Sequence, residues 1–597
     1  MKHFSFLFFP LIIIILLSPS AALIAQSPQL EWAIGAGTAN ADFGNAIAVD
    51  AQGNVYSAGF FAGVADFDPG PGTINLSSVG YSDIFVWKTN AAGNLIWAKS
   101  IGGSGVDEAS SIAVSPSGYI YITGYFAHTV DFDPGTGIDT LTNADDPCNT
   151  EIFVLKLDTA GNFIWVRSVE GIMTVCTAAT DIAYGIDIDQ YENVYVTGYW
   201  TGRADFNTSP APADTLFIQS SGSTISGDIF ILKIDAAGGF QWVKTLGIAL
   251  SDCGYGVHVS DSGFVYITGL YGYEMDFDPG PGYDTVPGYG NWDSFILKLD
   301  PNGNYVWAIG IGGTGDDRGI AVTTDTDGNV YGTGHFSSTA DMNPGSPINN
   351  LTAAGGRGAY LLKLDPSGNY LWAEAVVGNG GGEKAGAGIA LDVNNNIYIT
   401  GHFTESADFN MSPLPADTFI LTATGAWNNT DAFIMKTDSA GNFLWAVSMG
   451  VAGVDRGTSI VVDGGNNVYT TGYFVGTVDF DPGTGIQNLL AVGSNDIYVQ
   501  KLNQNPSSVN DQPASHEYSF SLYPNPASDI LTIDQSGTRL QSPATITITD
   551  LNGRVLLTQC SNSSGITAVD ISTLVTGMYL VTVTGENTSS VKKFGKN

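Results

Sequence analysis

The sequence predicts an all-β protein built mainly from one repeating array of seven units. Three observations carry this prediction. The 597 residues include 75 glycines and 11% aromatics but only 13% charged residues, the balance of short apolar strands joined by many tight turns. Two residue rulers recur seven times in register. The seventh unit lacks a piece, and the N-terminus carries an unattached copy of it.

The first ruler is a tyrosine after a turn, in strings such as NVYSAGFF and YIYITGYF: Tyr56, Tyr121, Tyr195, Tyr266, Tyr331, Tyr398 and Tyr469. Ten residues after each stands an aspartate that opens a phrase such as DFDPG: Asp66, Asp131, Asp205, Asp276, Asp341, Asp408 and Asp479. The second ruler is a lysine in strings such as IFVLKLD: Lys88, Lys156, Lys233, Lys298, Lys363, Lys436 and Lys501. Nine residues after each of the first six comes a tryptophan, from Trp97 to Trp445. Lys501 has none, whereas LEWAIGAG near the N-terminus holds Trp32. A circular β-propeller closes in this way, with the first strand completing the last blade and removing an exposed edge. An open solenoid needs caps instead.

In the first unit, alternating bulky and small residues between Gly-bearing turns predict strands at 46–50, 54–61, 83–89 and 95–101. Four such strands make one blade, so residues 26–502 are expected to form a seven-bladed β-propeller of four-stranded blades. Length varies in two places only. The Asp-to-Lys spacing runs 22, 25, 28, 22, 22, 28, 22, and the Trp-to-Tyr spacing 24, 24, 30, 24, 24, 26, 24. Both connections leave an antiparallel blade at the same face, where binding loops are expected.

The remaining elements follow in order. Residues 1–25 read as a secretory signal peptide: Lys2 and His3, an apolar run from Phe4 to Leu17, then small residues with cleavage after Ala22 or Ala25. No later stretch is expected to span a membrane as a helix. The net charge of −37 argues against nucleic acid and anionic membranes as partners. Cys148, Cys176, Cys253 and Cys560 make neither a disulfide framework nor a zinc pattern. Export permits one bridge between Cys148 and Cys176, which both fall in connections of variable length. Residues 503–516 (NQNPSSVNDQPASH) form a polar linker. Residues 517–597 alternate apolar and polar positions around a DLNG turn, consistent with a small β-sandwich.

Two resemblances attach to these residues. IGGTGDDRGIAV (311–322), DGNVYGTGHF (327–336) and SFILKLDPNGN (294–304) resemble the SBBP-type β-propeller repeat, over roughly residues 30–502. This implies a propeller of extracellular or surface proteins and no single activity. Tyr523, Pro524, Asn525, Pro526, Asp529, the stretch 550–555 with Gly553, Asp570, Leu574, Gly577, Tyr579, Lys592 and Lys593 resemble the type A sorting domain of the type IX secretion system of Gram-negative bacteria. That resemblance implies an Ig-like β-sandwich, contact with the secretion machinery, export across the outer membrane, and a secreted or cell-surface location.

D-x-D pairs offer oxygen ligands to calcium, but three of seven phrases lack the second carboxylate. The preferred reading is a turn, with Asp and Asn capping the backbone and the intervening aromatic, or Met342, packing between blades. A second acidic series precedes each first strand: Asp42, Asp107, Asp181, Asp252, Asp317 and Asp455, with Lys384 in the sixth unit. It is either a ring of carboxylates on the variable face or again turn chemistry. The seven lysines need a carboxylate or carbonyl, and an ion pair with an acid of the same or adjacent blade is expected. His335 and His402 fill a slot held by Tyr125 and Tyr473 elsewhere, as aromatic stand-ins rather than bases. No catalytic motif stands in a supporting context, and no cofactor is expected. The best reading is a binding or adhesion scaffold for glycan or protein. The alternative is a polysaccharide lyase or hydrolase, which would need one sector holding a unique cluster of titratable groups.

Overall fold

The computed structural model describes residues 27–504 and 521–597, except 144–148, 173–179, 209–213, 222–225, 249, 344, 346, 379, 412–417, 426–428, 525, 535–544, 550–553, 561–565 and 585–588. The expected signal peptide, most of the linker, Cys148, Cys176, Asn525 and Gly553 lie outside the described residues. The chain divides into two compact units, 1–506 and 507–597. Among the described residues there is no helix, and so none long and apolar enough to cross a membrane.

The first unit consists of antiparallel meanders. Its first four-stranded repeat runs through Phe43–Val49, Val55–Phe61, Asp83–Thr89 and Leu95–Gly103, each strand paired with the one before it. The same order recurs through Arg456–Val462, Val468–Phe474 and Asp496–Asn503. There the fourth place is taken by Gln29–Ala36, with Trp32 opposite Lys501 and Gly35 opposite Tyr498. The expected borrowed strand is therefore in place.

The hairpin turns follow from their side chains. Asp50 Oδ1 accepts the backbone N–H of Gln52 (3.0 Å) and Asn54 (2.8 Å), and the Tyr56 hydroxyl donates to Asp50 Oδ2 (2.9 Å). Gly53 sits at φ 78°, a left-handed position that suits glycine. Tyr331, Tyr398 and Tyr469 repeat the hydroxyl contact on Asp325, Asp392 and Asp463. In these repeats, and for Tyr195 on Asp189, the ruler tyrosine locks its own turn.

Each repeat holds more than the four expected strands. The DFDPG phrase folds into an extra short hairpin, Val64–Asp66 against Asn75–Ser77 in the first repeat and Thr129–Asp131 against Thr140–Thr142 in the second. The first strand also starts earlier than expected, at Phe43, because a bulge between Gly44 and Ala46 carries the pairing past the apolar run.

Apolar cores form between successive repeats. One joins Ala46, Ile84 and Ile101 to Phe126, Phe132 and Phe153. Others join each later repeat to the next. Another joins the last repeat (Tyr469, Ile497, Val499) to the first (Ile47, Val55, Phe85, Trp87). Strands also bond across that junction: Thr458 Oγ1 of one first strand donates to Gly44 O of the other (2.6 Å), and the Ser57 and Thr471 hydroxyls of the second strands lie 3.2 Å apart.

The C-terminal unit has two antiparallel sheets. One pairs Ser521–Tyr523, Ile530–Asp534 and Ile566–Asp570; the other pairs Val555–Cys560, Thr545–Thr549, Gly577–Thr584 and Ser589–Lys596. Leu531, Ile533, Ile546, Ile548, Val581 and Phe594 share one core, with Tyr579 buried beside them.

Candidate functional site

The DFDPG aspartates serve their own backbone. Asp131 Oδ1 accepts the N–H of Asp133 (3.1 Å) and Asp139 (2.9 Å). Asp66, Asp205, Asp276, Asp341, Asp408 and Asp479 each accept the N–H two residues on and a second one eight or eleven residues on. The second Asp of the phrase accepts from glycine, as Asp133 does from Gly135 (2.7 Å). Phe67, Phe132, Phe206, Phe277, Met342, Phe409 and Phe480 are buried in the cores between repeats. Among the described residues no three metal-ligating side chains cluster.

The second series is buried, not displayed. Asp107 accepts the N–H of Gly103 (2.7 Å) and Ala127 (3.1 Å), clamping the end of the preceding strand to the end of the second strand. Asp42, Asp252, Asp317 and Asp455 make the same double clamp, and Asp181 holds Thr201. Burial pushes Asp42 up to about 6 and Asp107, Asp181, Asp252, Asp317 and Asp455 up to about 7.

The lysines depart from the expected ion pairs. Lys88, Lys156, Lys233, Lys298 and Lys363 donate to the carbonyls of Thr159, Ala236, Pro301, Pro366 and Ser439, each in a turn of the next repeat. Lys501 donates to Ala91 O, in the first repeat. Each ammonium also stands over the ruler tyrosine of its own repeat, as Lys88 does over Tyr56 at 4.7 Å. Among the described residues only Lys156, Lys436 and Lys501 have an acid within reach, at Glu192, Asp392 and Glu31. A turn carbonyl leaves no trace in sequence, which is why an acid was expected. The tryptophans bond in the same places: Trp97 to Thr159 O, Trp307 to Pro366 O, and Trp32 to Ala91 O.

Sequence reasoning missed a second set of buried acids, Asp83, Asp228, Asp293, Asp431 and Asp496, at the start of third strands. Each sits near the Asp that opens the next repeat, and charge repulsion adds to the upward shift in Asp107 (from Asp83), Asp252 (from Asp228), Asp317 (from Asp293), Asp455 (from Asp431) and Asp42 (from Asp496). Glu151 and Asp181 occupy these places between the second and third repeats. Between the fifth and sixth repeats both acids are gone: Gly358 and Lys384 stand there.

A cluster of cationic and imidazole groups occupies that junction and its neighbours. Arg357 Nη1 donates to Glu383 Oε1 at 3.0 Å, and Arg456 Nη2 lies 3.8 Å from Glu383 Oε2. His402 Nε2 faces Glu383 Oε1 at 3.8 Å. Arg318 pairs across strands with His335. The facing His402 ring, with Arg456 and Arg357, holds the Glu383 carboxyl well below the usual carboxylate range. Burial pushes His335 down to about 3 and lowers His402, so both rings are neutral. As expected, both fill the aromatic slot of the second strand. The detectable signal was that three of the chain's seven arginines fall at positions 318, 357 and 456. Arg318 also borders a cavity of about 280 Å³ walled by Tyr184, Tyr199, Tyr255 and Leu270.

The first and last residues of paired first and second strands lie together, as Arg318 and His335 do, so the cluster sits at the end where the variable connections emerge. Comparison with known proteins agrees with the repeats and the tail. The secretion system C-terminal sorting domain matches residues 521–597, and the beta-propeller repeat matches 96–125. The chain carries both the β-propeller repeat and the sorting domain. The sorting domain marks it for export through the type IX secretion system to the cell surface or the extracellular space. An uncharacterized WD repeat-containing protein of Acanthamoeba polyphaga mimivirus is 24% identical over 522 residues, covering 76% of this chain and 36% of that protein. The regulatory protein FlaEY of Caulobacter vibrioides is 26% identical over 185 residues, covering 31% of this chain and 18% of its own length. The chain thus spans well under half of these relatives. Among solved structures, the extracellular domain of a hybrid two-component system from B. thetaiotaomicron is 9% identical, with a TM-score of 0.14 over 94% of this chain and 98% of that one. Latent PorU from Porphyromonas gingivalis is 10% identical, with a TM-score of 0.12 over 67% of this chain and 34% of that one.

Proposed function

We propose that residues 26–502 form a closed seven-bladed β-propeller that acts as an exported binding scaffold for glycan or protein. A signal peptide (1–25), a linker (503–516) and the sorting unit (517–597) would deliver it. Closure is supported by the apolar core between last and first repeats and by Lys501 and Trp32 donating to Ala91, as other lysines and tryptophans do to the next repeat. One observation carries the binding reading. Six junctions keep a buried acid pair; at one, Gly358 and Lys384 replace it and Arg357, Glu383 and His402 assemble on the variable face.

The alternative of a lyase or hydrolase also predicts one special sector. The protonation states argue against it. Burial lowers both His335 and His402, and Glu383 is held ionised, which disfavours these groups as a general acid–base pair. A glycan array on the purified full chain, followed by a turnover screen on every hit, tests the reading. Retention without product formation is expected. Product formation that a single substitution in the cluster abolishes would replace the scaffold with an enzyme.

A further inference from the structure

A cavity of about 280 Å³ lies between the third and fourth repeats, with Arg318 of the fifth among its walls. None of Arg357, Glu383 and His402 lines it. Thr201 follows a second strand and Asp252 precedes a first strand, so the cavity sits at the end where the variable connections emerge. Its walls break the pattern of the other repeats. The first strand of each repeat carries a bulge, and in five repeats the extra residue is Asn45, Ser110, Ile320, Ala387 or Thr458. Asn45 Nδ2 donates to Ala109 O (2.8 Å) and Thr458 Oγ1 to Gly44 O (2.6 Å), tying neighbouring first strands. In the third and fourth repeats the bulge residues are Tyr184 and Tyr255. Their ring centroids lie 5.0 Å apart, and Tyr184 lies 6.1 Å from Tyr199. Trp292 breaks a second pattern. It precedes a third strand, a place from which Thr150 and Thr430 donate to Asp181 O and Asp455 O (3.2 Å each). Among the described residues the buried indole N–H of Trp292 has no partner, nor has the buried Nε of Arg318. Buried donors of this kind cost free energy unless a partner arrives.

These groups stand together. Trp292 O accepts the N–H of Asp317, the residue before Arg318 (2.9 Å). Burial pushes the Tyr255 hydroxyl up, and the Arg318 charge offsets part of that push, so the guanidinium stands by the tyrosine wall. The polar groups then narrow the ligand. The one carboxylate of the wall, Asp252, is engaged, one oxygen accepting the N–H of Ile248 and the other that of Gly272 (2.9 Å each). The Thr180 and Tyr199 hydroxyls bond each other (2.5 Å), and Thr201 Oγ1 bonds Asp181 (3.3 Å). Arg318 forms no ion pair among the described residues. The wall therefore offers donors and aromatic faces, and a sugar ring would find no free carboxylate to accept its hydroxyls. A guanidinium fork matches a planar carboxylate, and a flat ring packs on or edge-on against tyrosine. At about 280 Å³ the cavity is at the small end for a ligand pocket, room for one ring. A single negative charge also keeps repulsion from a chain of net charge −37 small, as a polyanion would not.

We propose that this cavity binds an aromatic monocarboxylate, one flat ring bearing one carboxylate. The carboxylate pairs with Arg318 beside the Trp292 N–H, and the ring packs against Tyr184 and Tyr255. The site goes beyond the scaffold reading above and does not depend on it.

Calorimetric titration of the purified full chain with benzoate, benzyl alcohol, acetate and D-glucuronate tests it. Benzoate is expected to bind about tenfold or more tighter than the others, the ratio that a hydrogen bond to a charged group supplies. Arg318→Met should weaken benzoate by about the same tenfold. Tyr184→Ser, which puts at this bulge the residue type of Ser110, should weaken benzoate severalfold, and it decides the case if Arg318→Met does not fold. No benzoate heat, benzyl alcohol, acetate or glucuronate binding equally well, or unchanged benzoate binding in both variants would each overturn the proposal and leave the scaffold reading standing. N-Acetyl-L-phenylalanine is the last arm. Tighter binding than benzoate would support the site and assign its carboxylate to a peptide C-terminus, and weaker binding would support it and assign a free aromatic acid.

Discussion

Replacing Lys298 or Lys501 by Met separates a chain of repeats from a closed ring. Lys298 is buried, donates to Pro366 O at 2.8 Å and stands 5.2 Å from the Tyr266 ring centroid. A hydrogen bond to a charged group contributes about 1.5–3 kcal/mol and the ring contact about 0.5–1 kcal/mol. Relief of the desolvation that lowers the Lys298 pKa offsets part of this, and Met fills the space of the stem. The net loss should be about 2 kcal/mol. Unfolding entropy of about 2.1 cal/mol/K per residue gives roughly 1 kcal/mol/K over this array, so Tm should fall by about 2 °C. Lys501 makes the equivalent bond to Ala91 O, but across the junction between the last and first repeats. Its partner Glu31 is partly solvated and tolerates the loss. If the array is closed, Lys501→Met should cost about as much as Lys298→Met, read by scanning calorimetry. An unchanged Tm in Lys298→Met would refute the structural role of the lysines. A loss in Lys298→Met with none in Lys501→Met would refute closure.

Three further outcomes are expected. The six buried aspartates shifted up to about 6 or 7 keep protons in the folded state that the unfolded chain releases near 4, so stability should fall as pH rises from about 4 to about 7 and level off above; a Tm higher at pH 8 than at pH 5 would contradict their burial. Chelation with EDTA should leave Tm unchanged, because the Oδ1 atoms of Asp66, Asp131 and their equivalents already accept backbone N–H groups; a fall restored by calcium would revive the cation site. Phe132→Ala, which empties a core shared by two repeats, should cost about 3–5 kcal/mol in urea unfolding, and a loss under about 1 kcal/mol would place Phe132 outside that core.

The parts of this fold that were legible in sequence are the local ones. The Asp50 turn closes within four residues and the Asp131 turn within eight, so their residues must recur at fixed spacing. Trp32 was legible because its missing counterpart after Lys501 left a gap of known shape. The short DFDPG hairpins were not, since strands of three residues carry no period. The lysine partners were misjudged because Thr159 or Pro366 contributes only a carbonyl. The cationic cluster was hidden for a different reason. It draws residues 318, 335, 357, 383, 402 and 456 from three repeats, and no window of sequence contains them.

Those residues make sense together only against the rule they break. At six junctions a buried acid pair is held by backbone N–H groups, and its cost is met by the clamps it forms. At the seventh junction, Gly358 removes one acid and Lys384 removes the other. Two extra residues lengthen the connection before Lys384, which is the connection that carries Glu383. A loss of structural acids by drift would leave an apolar gap there. Instead Arg357, Glu383 and His402 stand at this junction, and among the described residues Nε of Arg318 and Arg456 and Nε2 of His335 and His402 have no hydrogen-bond partner. Stability alone does not select such a set, because unpaired buried nitrogens are destabilising. A partner that pairs them, as the proposed binding role would supply, offsets that cost.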